Sequence, residues 1–127
     1  MQFDDLPAEL VAFISASIDS VEQVHVLLTL QANPSRHWTV AELTRELRST
    51  ESSIALRLED LYAKKVLRRD GALRYLPASP NAESCLQLLG KTYRERPSRV
   101  IELIYAKPPQ SLQAFADAFK FRKDEDK

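Results

Sequence analysis

One cysteine, two glycines and no net charge exclude several kinds of protein for this chain of 127 residues. The lone Cys85 has no internal partner for a disulfide, so a reducing compartment is expected. With only Gly71 and Gly90, the chain has no glycine-rich loop to cradle a phosphate, and the backbone is expected to be mostly helical. Eighteen basic side chains balance eighteen acidic ones, which excludes a polybasic nucleic-acid coat. That balance leaves a sequence-specific binder open, because binding depends on one local basic face and not on the total. No apolar run is long enough to cross a bilayer. The start, Met1-Gln2-Phe3-Asp4-Asp5, is acidic and lacks the basic and apolar regions of a secretory signal. A soluble, cytoplasmic protein that does not engage membranes is the resulting expectation.

What is present is helical periodicity. A chain of this length fits one domain over 1–127. An amino-terminal helix is predicted within 1–18, from about Pro7 to Ser17, with Asp5 as its cap and Leu6, Leu10, Phe13 and Ile14 on one face. A second helix starts at Asp19 or Ser20, since Glu22 and Gln23 each stand three residues after a capping side chain. Asn33-Pro34 ends it. The strongest start signal follows. Thr39 and Glu42 form a capping box, and Trp38 and Leu43 a hydrophobic staple. After a turn at Arg48-Ser49, Thr50 caps a helix that buries Ile54, Leu58 and Leu61. Val66 to Leu76 is predicted as a two-stranded hairpin, because Asp70-Gly71 suits a tight turn and Pro77 stops the second strand. Ser79-Pro80 opens a further helix, and Pro97 breaks it. The short, very apolar stretch Arg99 to Tyr105 is predicted as helix, with a strand as the alternative. A last helix is expected over 111–121, with Leu112, Phe115, Ala116 and Phe119 on one face, before a charged tail at 122–127.

The order helix, turn, helix, hairpin over 19–77 outlines a winged helix-turn-helix with helical extensions at both ends (78–121 at the carboxyl side). The fold class expected is therefore mainly α with a small β-hairpin wing. In such a module the helix over about 51–65 lies in the major groove, and the wing over 66–76 reaches the backbone or minor groove. With Ile54, Leu58 and Leu61 turned inward, Ser52, Leu56, Glu59, Asp60 and Ala63 point outward, and Ser53, Arg57 and Lys64 lie along one flank. Serine hydroxyls at 52 and 53 suit phosphate or base, Arg57 suits guanine, and Leu56 suits a thymine methyl. Arg68, Arg69 and Arg74 make a compact basic group on the wing. The expected DNA-binding set is Ser52, Ser53, Leu56, Arg57, Lys64, Arg68, Arg69 and Arg74. Between Glu42 and Tyr75 eight basic residues face six acidic ones, so the sequence-independent part of any binding should be modest.

Residues Thr39 to Tyr75 resemble small bacterial transcription regulators of the MarR-like group. The resemblance lies in four places: Thr39-Val40-Ala41-Glu42-Leu43, the Ser/Thr-rich start before Ile54, the passage Leu61-Tyr62-Ala63-Lys64-Lys65-Val66-Leu67, and the arginines flanking Asp70-Gly71. It implies a regulator that binds double-stranded DNA as a homodimer. Val66 departs from it, standing where the family usually has glycine. Outward Leu56, Glu59 and Asp60 depart from it as well.

The alternative is a protein-interaction module in a signalling or transcription complex, contacting a partner protein through Leu56 and its acidic neighbours without binding DNA. Fold alone does not decide between the two. No enzyme is expected, because no nucleophile–base–acid set and no paired-carboxylate site stands out. His25 and His37 lack companions at metal-ligand spacing, so neither a metal nor a cofactor is expected. Cys85 sits on an apolar stripe and is expected to be a buried, inert thiol. The outer helices carry apolar surface that a two-fold dimer would bury.

Overall fold

A computed structural model of the chain describes residues 3–106. Six helices follow one another: α1 (Ala8–Ser17), α2 (Val21–Ala32), α3 (Val40–Leu47), α4 (Glu51–Ala63), α5 (Pro80–Glu95) and α6 (Pro97–Ala106). The helix expected over 111–121 and the tail at 122–127 lie outside the described residues.

Local chemistry sets most helix starts. Ser20, not Asp19, caps α2, its hydroxyl accepting from the Gln23 N–H. The capping box of α3 is complete: Thr39 Oγ1 accepts from the Glu42 N–H at 3.1 Å, and Glu42 Oε1 accepts from the Thr39 N–H at 2.8 Å. Thr50 and Ser79 cap α4 and α5 in the same manner, and Pro80 occupies the first turn of α5. Replacing Thr39 by alanine is expected to remove about 1 kcal/mol of stability, read as a lower urea midpoint at unchanged slope. The expected cap of α1 is corrected. Pro7 holds the N-cap position without a side-chain bond. Asp5 is drawn away to α6, where Arg99 binds both of its oxygens and Arg96 reaches it as well. The Arg99 guanidinium holds the Asp5 carboxyl down at about 2.

The helices form two groups around one continuous core. α2, α3 and α4 pack on one another, and α1, α5 and α6 do the same. Leu10, Ile14, Leu27, Leu30, Leu43, Ile54, Leu61 and Leu89 are wholly buried in that core. Gly90 on α5 leaves room for the Gln31 side chain of α2. A Cβ there would stand 2.4 Å from Gln31 Oε1, and Gln31 is pinned by its Nε2 donating to the Leu86 carbonyl and the Tyr75 hydroxyl. Among the described residues no single helix is long and apolar enough to cross a membrane.

The expected β-hairpin does not form, and the winged helix-turn-helix class is corrected with it. Among the described residues the fold is all-helical, with no strand and no sheet. The 64–79 connection doubles back, but only two isolated antiparallel bridges mark it, Leu67 with Pro77 and Trp38 with Leu73. The reason is where the backbone groups go. One pair of bonds closes the base, Arg68 N–H to the Leu76 carbonyl and Ala78 N–H to the Val66 carbonyl. Further along, the Leu73 carbonyl accepts from the Trp38 N–H at 2.7 Å, so the returning arm bonds to the segment before α3. Gly71 adopts φ +91°, as a turn requires, while Asp70 folds onto its own neighbours, accepting from the Ala72 N–H and from Arg74. The Leu73 carbonyl is thereby lost to a two-arm ladder, which stays at the single bridge of its base. Val66 is no anomaly here. The left-handed residue that ends α4 is Lys65, at φ 62°, and Val66 turns into the core.

Candidate functional site: the outward face of α4

α4 is anchored by Ile54, Leu58 and Leu61, all buried, as the 3.6-residue period dictates. The side chains expected to meet DNA stand on its other faces and on the following connection, and most are engaged within the chain.

Ser53 and Arg57 converge on one carboxylate. Ser53 Oγ donates to Glu22 Oε1 at 2.5 Å, and Arg57 Nε donates to the same oxygen at 3.1 Å. Ser49, in the α3–α4 turn, donates to Glu22 Oε2 at 2.6 Å. Glu22 thus sits in the first turn of α2 and clamps both the turn and α4. Burial alone would raise its pKa, but the donors from Ser49, Ser53 and Arg57 outweigh that and hold it below the usual carboxylate range.

A second cluster joins the start of α2 to the end of α4. Lys64 Nζ lies 2.5 Å from Asp19 and 3.2 Å from Asp60. Burial works against its charge, and the two carboxylates reverse this, raising its pKa. Gln23, only 1% exposed, accepts from the Asp19 N–H and donates to Asp60 at 2.8 Å. Gln23 is therefore a buried bridge as well as a residue of the first turn.

The connection's arginines are paired also. Arg69 bonds Glu59 of α4 and lies over the Tyr62 ring, 4.2 Å from its centroid. Arg74 bonds Asp70 through Nε and Nη2. Arg68 is exposed and has no ion pair among the described residues. Ser52 is exposed in the first turn, its hydroxyl 3.4 Å from that of Thr50. Each candidate thus lies on or beside α4, yet Arg57, Lys64, Arg69 and Arg74 do not form a free basic face.

Leu56 is the large apolar side chain that faces outward on α4. It is 63% exposed, a rare condition for a large apolar side chain in this fold. Beside it runs a groove of about 320 Å³, floored by Ala55, Leu58 and Tyr62 and walled by Val40 and Leu73, with Glu59 and Arg69 on its rim. The groove depends on the 69–73 turn lying against α4, which helical periodicity in α4 alone could not reveal. Asp19 and Glu22 were also invisible as site residues. Their capping-type spacing marks a helix start, and nothing local says that they reach across to α4. Comparison with family models, curated proteins and solved structures gives no match for this chain.

Proposed function

We propose that this chain is a protein-interaction module that receives a partner on the outward face of α4. One observation carries the proposal. Arg57, Lys64, Arg69 and Arg74 are paired with the chain's own carboxylates, while Leu56 projects into solvent next to an apolar groove. DNA offers a phosphate lattice that rewards unpaired cations. An exposed leucine with a mixed-charge rim suits a protein surface, where a few buried apolar anchors supply most of the affinity. Cytoplasmic residence belongs to the same proposal, and the buried thiol of Cys85 is at home in a reducing compartment.

A photo-activated cross-linking residue in place of Leu56, in cells, is expected to give one discrete adduct. The same residue in place of Glu102, on α6, is expected to give none. Equal, diffuse labelling from both positions would overturn the proposal.

A second reading, DNA binding, is favoured by one specific observation. Arg45, Arg48, Lys65 and Arg68 are exposed and have no ion pair among the described residues, and Ser52 is open at the start of α4. Fluorescence anisotropy with mixed genomic duplexes tests it at low salt, where a basic face attracts most strongly. Salt-sensitive binding that leaves an enriched subset of sequences would establish a DNA-binding regulator. Arg68→Ala should then weaken binding to every sequence alike and reduce the salt slope by about 1.

A further inference from the structure

Resting on the docking face proposed above, we infer that its occupant is an acidic amphipathic helix of another protein, with one bulky apolar anchor for the groove and carboxylates about two turns from that anchor. The groove sets the anchor. Ala55, Gly71 and Ala72 add little bulk to its lining, while Leu58, Tyr62 and Leu73 give it apolar surface, so a large apolar side chain fills it. Leu56 stands on the neighbouring row of α4 and widens the apolar contact, which suits a helix laid along the face.

Charge sets the rest. Val40, a wall of the groove, begins a row on α3 that runs through Thr44 to Arg48 at helical spacing, with Arg45 beside it. Arg45 and Arg48 are exposed and have no ion pair among the described residues. Glu42 and Glu46 stand on the other flank of α3. Glu42 closes the capping box and reaches Arg36, and Glu46 lines a separate groove with His25 and Trp38. Glu51, at the start of α4, is an exposed acid without an ion pair among the described residues. Lys65 and Arg68, beyond its end, are exposed bases in the same condition. The pairs Glu59–Arg69 and Asp70–Arg74 cancel. Unpaired charge around this face is therefore positive, in a chain whose formal net charge is zero. The rise along α3 from Val40 to Arg48 is about 12 Å, which fixes how far the partner's carboxylates stand from its anchor. Duplex DNA would meet the arginines but offers no bulky apolar side chain to the groove. A basic segment would fill the groove and be repelled by the arginines.

Selection of phage-displayed random peptides of about 16 residues, long enough for four helical turns, against the purified full chain tests this. Selected peptides are then titrated by fluorescence anisotropy. They are expected to join a Phe, Trp or Leu anchor to Asp or Glu on one side, and their affinity for the parent chain should fall as salt rises. Arg45→Glu combined with Arg48→Glu should weaken them by at least about 10-fold and favour the same peptides remade with lysine at their acidic positions. Leu56→Asp should also weaken them by at least about 10-fold, while Lys91→Glu, on α5, should change nothing. All three sites are exposed, so far-UV circular dichroism of each variant should match the parent. Selected peptides that are neutral or basic, or acidic ones lost with Leu56→Asp yet indifferent to the arginine reversal, overturn the acidic partner and leave the docking face standing. Peptides indifferent to Leu56→Asp, or no enrichment at all, overturn the docking face as well. Duplex DNA bound through Arg45 and Arg48, and untouched by Leu56→Asp, gives the arginines to DNA and overturns the inference.

Discussion

Trp38→Ala is expected to cost about 3–5 kcal/mol of folding stability, the range for removing a large buried aromatic. The indole is 6% exposed and belongs to the core cluster. Arg36 lies over its ring, 3.5 Å from the centroid, so truncation also uncovers that cation. The loss reaches the docking groove through the backbone. The Trp38 N–H holds the Leu73 carbonyl, and Leu73 is a wall of the groove. A collapsed Trp38 site therefore loosens the arm that lies against α4. Trp38→Phe should be much milder. The indole Nε1 is buried with no hydrogen-bond partner among the described residues, so phenylalanine surrenders no bond seen there and only part of the contact area. Urea unfolding followed by far-UV circular dichroism measures both variants, since Trp38 is the sole tryptophan and its fluorescence leaves with it. An alanine variant that unfolds at the parent's midpoint would show that the ring does not brace this region.

The same residue illustrates how far local sequence signals reach. Trp38 and Leu43 read as a staple around the Thr39 cap, and the cap is present in full. Each helix start marked by Ser20, Thr39, Thr50 or Ser79 follows from side chains within three residues, so one short window contains all the physics required. The hairpin needed more than its turn. Asp70-Gly71 does reverse the chain, yet whether the two arms pair depends on what else their carbonyls can find. Leu73 finds Trp38, thirty-five positions earlier, and the ladder ends there. Charge was legible in number but not in partnership. Arg57 and Lys64 look free along α4, yet Glu22 in the first turn of α2 holds Arg57, and Asp19 just before α2 joins Asp60 of α4 in holding Lys64. Helical periodicity states which way a side chain points and is silent about which element it points at.

Glu22 tests that partnership directly. Glu22→Gln is expected to cost about 2 kcal/mol at neutral pH, because charge-assisted bonds from Ser49, Ser53 and Arg57 become weaker neutral ones around a half-buried site. The pH dependence fixes the cause. The carboxylate's pKa is lowered in the folded chain relative to its ordinary value of 4.5. A group with a depressed folded pKa stabilises the fold above its unfolded pKa. That contribution is lost as pH falls through the folded value. The gap between parent and variant should therefore be full at pH 7 and begin to narrow below about pH 4.5. Urea midpoints of both proteins across that range measure it, and a gap that stays constant with pH would assign the loss to shape instead of charge. The variant also releases the Arg57 guanidinium from its carboxylate. If the neutralised face is what keeps DNA away from α4, Glu22→Gln should raise salt-sensitive anisotropy with duplex DNA above the parent's, even as it lowers stability. If the face is a docking surface whose anchor is Leu56, cross-linking at that position should persist in the same variant, since Leu56 lies outside the Glu22 cluster.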